Sequence, residues 1–146
     1  MQEYCNSLTE YSRLNTREVQ VGDVGIGGGN PIRIQSMTTA STNDTATVVA
    51  QSKRMIEAGC EIVRLTAPSI REAENLLVIK ETLRNQGITT PLVADIHFTP
   101  NAAIVAAKIV EKVRINPGNY ADRKKFETHD YSDQTYEDEL QRIRKR

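Results

Sequence analysis

Hydrophobic positions along this chain follow two periods in alternation. A period of two marks four short segments, starting near Ile32, Ile62, Leu92 and Lys112, the spacing of β-strands. Between them lie three segments with helical spacing. The first runs from about Asp44 to Ala58 and stops at Gly59, a suitable helix C-terminus. The second opens on Ser69-Ile-Arg-Glu72, which predicts a capping box, and ends at Asn85-Gln-Gly87. The third opens with Thr99 as N-cap and Pro100 at the first helical position. Strands and helices in this order predict right-handed βαβ units and a parallel sheet. Upstream, Val19, Val21, Val24 and Ile26 alternate with small or polar residues and predict a β-hairpin. "SLTEYSRL", residues 7–14, supports at most a short helix. The segment from Asn119 to Arg146 is charged with both signs and lacks strand signals. There Tyr136, Leu140 and Ile143 sit at i, i+4 and i+7 and predict a last amphipathic helix.

The faces of the strands carry more information than their number. In "PLVADIHF", Leu92, Ala94 and Ile96 form one apolar face, while the other ends in Asp95 and His97. Setting Val63 and Leu65 toward the helices turns Arg64 and Thr66 the other way. Setting Val113 and Ile115 toward the helices turns Arg114 and Asn116 inward. In the first strand Ile32 and Ile34 are expected outward, with Gln35 and Met37 inward. Three neighbouring strands thus place polar groups late on one face. A doubly wound open sheet is covered by helices on both faces and reads as nearly all apolar. A (β/α) barrel instead gathers its chemistry at the C-terminal ends of its strands. The fold class expected is therefore α/β, a TIM-type barrel. Residues 1–146 supply its N-terminal half, about four βα units after a β-hairpin, with residues 119–146 a charged segment and helix.

Composition narrows the chemistry. The 146 residues suit one domain, and 19 basic against 19 acidic side chains favour neither nucleic acid nor an anionic membrane as partner. The two cysteines, Cys5 and Cys60, are far apart and form no Cys-x-x-Cys pair. They cannot build a zinc or iron–sulfur site by themselves, and they suit a reducing compartment. No apolar leader and no run of membrane-spanning length occur. A cytoplasmic protein is expected.

Two inward arginines are the sharpest clue, because an unpaired buried charge costs several kcal/mol. Asp95 is expected to neutralise one of them and to leave the other for an anion. The planar guanidinium fork suits phosphate oxygens, so a phosphorylated or diphosphorylated substrate is expected. The alternative is an ion cluster that only ties strands together. Other features read more blandly. "GIGGG" lacks the Gly-Lys-Ser/Thr ending of a phosphate loop and precedes a strand, so it predicts a tight turn. Cys60 reads as a small core residue, and His129 as a solvated side chain. The hydroxyls of "TTASTNDT", after the first strand, suit either a polar ligand or helix capping.

The segments "PIRIQSMTT", "AGCEIVRLTAPS", "PLVADIHF" and "VRINPGN" resemble the N-terminal barrel of the 4-hydroxy-3-methylbut-2-enyl diphosphate synthase family of the non-mevalonate isoprenoid pathway. "NPGNYADRKKFE" resembles its larger, three-domain form. The resemblance covers about Tyr4 to the end. It implies an oxidoreductase that reductively opens 2-C-methyl-erythritol 2,4-cyclodiphosphate with two electrons from ferredoxin or flavodoxin. It implies Arg64, Asp95, Arg114, Asn116 and Asn119 as substrate-binding residues, with Asp95 and His97 at the catalytic centre. It also implies a 4Fe–4S cluster held by three cysteines and a glutamate of a separate domain, so no cofactor or metal is expected on this chain. The hairpin before Pro31 resembles the family's plug at the barrel bottom. Against the family this chain is expected to be a fragment, inactive alone, with open sheet edges and self-association, a homodimer included. Two rivals are a pterin-type transferase barrel resembling dihydropteroate synthase, and a half-barrel that serves only assembly.

Overall fold

The structure, a computed structural model, describes residues 9–10, 15–120 and 130–145. Cys5, His129 and most of the segment 7–14 lie outside them. A hairpin comes first, β1 (Val19–Val21) against β2 (Val24–Ile26). Four strands follow, β3 (Gln35–Met37), β4 (Ile62–Thr66), β5 (Leu92–Ile96) and β6 (Lys112–Ile115). They form one parallel sheet in the order β3-β4-β5-β6. Helices α1 (Thr45–Glu57), α2 (Ile70–Asn85) and α3 (Pro100–Ala106) make the crossovers. Beyond β6 come a single turn, α4 (Pro117–Tyr120), and α5 (Asp133–Arg144). This is a partial (β/α) barrel.

The local signals explain most of these boundaries. Asp44 caps α1 by accepting from the Thr47 N–H at 3.1 Å. Gly59 and Gly87, just beyond α1 and α2, take φ of +98° and +76°, the left-handed conformation that ends a helix. Two cap expectations need correction. Ser69 caps no backbone N–H; its hydroxyl bonds the Glu72 carboxylate instead. Thr99 likewise makes no cap and donates to the Pro68 carbonyl at 2.9 Å. The first parallel strand also begins later than expected, at Gln35 rather than Ile32. Pro31 has no N–H to donate, and the Ile34 N–H goes to the Glu61 carboxylate at 2.8 Å, although the Ile34 carbonyl still accepts from the Glu61 and Ile62 N–H groups. Ile32 and Ile34 are left exposed.

One core lies between the sheet and its helices. Val63, Leu65, Leu92, Ala94 and Ile96 meet Val48 and Val49 of α1, Ala73, Leu76, Ile79 and Leu83 of α2, and Ala102, Ala103 and Ala106 of α3. Cys60 belongs to this core and donates its thiol to the Ile62 carbonyl at 3.0 Å. Val113 of β6 packs against the edge of this core, whereas Ile115, at the end of the strand, is 38% exposed. The hairpin sits at the N-terminal ends of the strands. Gly22 lies against Pro91 and Glu111, and Val21 is buried. Arg33 fastens it with bonds to the Gly25 carbonyl (2.8 Å), Glu61 (2.9 Å) and Asn30 (3.3 Å).

The glycine run is the tight turn its composition suggests. Gly27 has φ +79°, and a Cβ there would stand 2.4 Å from the Arg17 carbonyl oxygen. Gly27→Ala should therefore cost about 1–3 kcal/mol from backbone strain alone, with a further shift to relieve the clash. Urea unfolding checks this; an unchanged midpoint would show that the turn readily adopts another path.

Candidate functional site

Register fixes which side chains share the uncovered face. Arg64 pairs with Met37 on one side and Val93 on the other. Asp95 pairs with Thr66 and with Arg114. Cα partners in a parallel ladder point the same way, so Met37, Arg64, Thr66, Asp95 and Arg114 lie on one face, late in their strands. His97 follows directly past the end of β5.

Asp95 is the centre of this group. Its side chain is 1% exposed. Oδ2 accepts from Arg64, from Nε at 3.0 Å and from Nη2. Oδ1 accepts from Arg114 Nη1 at 3.0 Å. The expectation that Asp95 neutralises only one arginine is thus corrected, since each carboxylate oxygen serves a different guanidinium. His97 Nε2 stands 3.8 Å from Oδ2, beyond hydrogen-bond length, and the ring lies beside Phe98. Two cations share one anion, so the Arg64–Asp95–Arg114 group keeps a net charge of about +1. Arg64 Nη1 and Arg114 Nε and Nη2 make no bond among the described residues.

The asparagines stand apart from that cluster. Asn116 turns its oxygen onto the Gly118 N–H at 3.2 Å. Asn119 is buried on α4, where its N–H donates to the Asn116 carbonyl at 3.0 Å. No bond among the described residues joins either one to Asp95.

The loop before α1 is spent on structure. Thr42 Oγ1 donates to the Thr66 carbonyl at 2.5 Å, and Asn43 Nδ2 to Glu72 at 2.6 Å. The Ser69 hydroxyl first, then the residue's own N–H and Asn43, working against desolvation, hold the Glu72 carboxyl below its usual range. Sequence reasoning missed Asn75, whose amide reaches this loop from α2; an asparagine inside a helix was the available signal. A hollow of about 470 Å³ lies at the opposite end, between the glycine turn, Arg33 and the start of β3. Its lining reaches Gln35 and Ile62 at the starts of β3 and β4, whereas the charged cluster lies toward the strands' C-terminal ends.

No group of three or more His, Cys, Asp or Glu able to hold a metal occurs among the described residues. Cys60, buried and bonded to a carbonyl, is unsuited to ligate a cluster. Among the described residues no helix is long and apolar enough to cross a membrane.

Residues 16–135 match the GcpE TIM-barrel domain. Three curated relatives carry the name 4-hydroxy-3-methylbut-2-en-1-yl diphosphate synthase (flavodoxin). The protein of Akkermansia muciniphila is 57% identical over 141 residues, which is 97% of this chain and 24% of that protein. That of Leptospira interrogans is 57% identical over 133 residues, 91% of this chain and 20% of the relative. That of Chlorobaculum tepidum is 53% identical over 142 residues, 97% and 19%. The chain spans about a quarter or less of the length of these relatives. The match runs through all four parallel strands, the charged face included, and the chain belongs to the GcpE TIM-barrel domain family.

Proposed function

We propose that this segment is the diphosphate-binding half of a barrel in an enzyme of the 4-hydroxy-3-methylbut-2-en-1-yl diphosphate synthase type. The observation that carries the reading is the Arg64–Asp95–Arg114 group on an open strand-end face, with one positive charge in excess. Asp95 orients both guanidinium forks, and their remaining N–H groups bind phosphate oxygens bidentately. Its carboxylate positions the cations rather than transferring a proton, because both oxygens are occupied. His97, half exposed beside it, is the group able to carry a proton to or from the substrate. Asn116 and Asn119, at the end of β6, complete the binding face by turning toward the ligand when it is bound.

The full-length protein reductively opens a cyclic diphosphate in isoprenoid biosynthesis, with flavodoxin, the donor in the relatives' names, supplying electrons. The 4Fe–4S cluster expected for that chemistry needs ligands from other segments, since the residues described here do not fit it. The setting is cytoplasmic. An alternative as a bare assembly module accounts less well for guanidinium N–H groups without partners among the described residues.

The test is Arg64→Met and Arg114→Met in the full-length protein. Methionine keeps much of the apolar stem and removes the fork. Affinity for the cyclic diphosphate should fall by roughly 1.5–3 kcal/mol for each, the worth of a charged hydrogen bond. Stability should fall less. A large loss of stability with unchanged affinity would make the cluster scaffolding and end this reading.

A further inference from the structure

The loop between β3 and α1, residues 38–44, lies at the strand-end face, and its grip on the sheet is specific. Thr42 is 2% exposed, and its hydroxyl donates to the Thr66 carbonyl at 2.5 Å. Thr66 is the register partner of Asp95. The next N–H, of Ala67, donates to the Asp95 carbonyl at 3.0 Å. The loop therefore holds β4 beside the carboxylate that orients both arginines.

A side chain of α2 holds the loop in turn. Asn75 Nδ2 donates to the Thr42 carbonyl at 2.6 Å and to the Thr45 hydroxyl at 2.9 Å. Glu72, one turn earlier on the same helix face, accepts from Asn43. Asparagine is a poor helix former, and the neighbouring Ala73, Leu76 and Ile79 supply the packing of α2. What Asn75 contributes at this place is an amide whose NH2 serves the loop at Thr42 and the first residue of α1, Thr45.

We propose that Asn75 is a positioning residue for the anion site. Acting through Thr42, it sets the loop against the end of β4 and so fixes how the Arg64 and Arg114 forks are spaced about Asp95. It does not touch the ligand. This rests on the anion-binding reading of the cluster.

The experiment uses the full-length protein and inorganic pyrophosphate as the probe, with Arg114→Met as reference. Affinity is read by titration calorimetry, thermal midpoint by circular dichroism, and loop protection by hydrogen exchange. Asn75→Ala removes both bonds and, as the better helix former, leaves α2 intact. It should weaken pyrophosphate binding roughly three- to tenfold, the range of couplings carried by residues that do not touch the ligand. Residues 38–44 should exchange faster while 70–85 keep their protection. Asn75→Gln, which keeps the amide, should recover most of the affinity; a merely structural role predicts no such rescue. Thr42→Val should reproduce the loss, and Thr42→Val with Asn75→Ala should bind no worse than the weaker single variant. Thr42→Val also carries the test if Asn75→Ala does not fold. If Arg114→Met weakens binding and both Asn75→Ala and Thr42→Val bind like the unsubstituted protein, the proposal is overturned and the anion reading stands. If Arg114→Met also binds normally, the anion reading falls and takes this proposal with it.

Discussion

Asp95→Asn should destabilise the protein by about 2–4 kcal/mol, a large share of the roughly 5–15 kcal/mol that holds a typical domain together. Asparagine matches aspartate in shape, so no cavity opens. What changes is charge and donor character. One carboxylate oxygen becomes an NH2 that faces a guanidinium, donor against donor. Arg64 and Arg114 then stand on the two strands flanking β5, opposite Val93 and Asp95, with no anion between them. Breaking a buried ion pair by removing one partner costs about 3–5 kcal/mol. The cost is lower at Asp95 because the arginine side chains are 27% and 38% exposed and keep some water. Arg64→Met and Arg114→Met should each cost less, because Asp95 retains its other partner. Urea denaturation of the three variants gives the order directly. A midpoint for Asp95→Asn within about 0.5 kcal/mol of the unsubstituted protein would mean that the carboxylate is not what holds the arginines.

That order of effects follows from a pattern already visible in the sequence. The alternation in "PLVADIHF" turns Asp95 away from Leu92, Ala94 and Ile96, and the ladder turns it the same way. The same reasoning places Arg64 and Arg114 on that face, because a period of two leaves no other choice once the core face is known. What alternation cannot supply is pairing within the face. Whether one carboxylate meets one arginine or two depends on strand neighbours and rotamers, and the sequence allowed both. The caps show a similar limit. Ser69 and Thr99 occupy cap positions as expected, yet both hydroxyls go elsewhere, to Glu72 and to the Pro68 carbonyl. Spacing identifies a cap candidate, but long-range neighbours decide where its hydrogen bond goes. Asn75 stood out only as an asparagine inside a helix, and its role was hidden for the same reason, since its partners Thr42 and Thr45 are some thirty residues earlier. The start of β3 was misplaced because Ile32 and Ile34 alternate with polar residues as the outward face of a strand does. They are exposed, and the Glu61 carboxylate, not a strand, satisfies the Ile34 N–H.

At the opposite end of the sheet, Glu111→Ala should cost about 2–4 kcal/mol at neutral pH, and the cost should shrink in acid. Glu111 precedes β6 and accepts from three directions. Arg84 Nη2 stands at 3.0 Å and Lys80 Nζ at 2.9 Å, both from α2. The N–H of Leu92, the first residue of β5, donates at 2.8 Å. Alanine leaves that N–H without its partner beside a side chain that is 1% exposed, a loss of about 1–3 kcal/mol. It also strands two cations close together. Burial is the largest influence on the Glu111 carboxyl and pushes it up. The Leu92 N–H, Lys80 and the residue's own N–H together outweigh it, so the group lies below its ordinary value of 4.5. A carboxyl with a lowered folded-state pKa stabilises the fold fully above its unfolded value. That contribution disappears as pH falls through the lower, folded-state value. The stability gap between the unsubstituted protein and Glu111→Ala should therefore be constant from neutrality down to about pH 5 and narrow below about pH 4.5. Asp44, Glu61 and Glu72 are also held low by hydrogen bonds and steepen the acid limb of both proteins. They are present in each, so the difference between the two curves isolates Glu111. Urea midpoints at pH 7, 5, 4 and 3 measure that difference. A gap that stays the same down to pH 3 would show that Glu111 acts by packing against Lys80 and Arg84, with its charge contributing little.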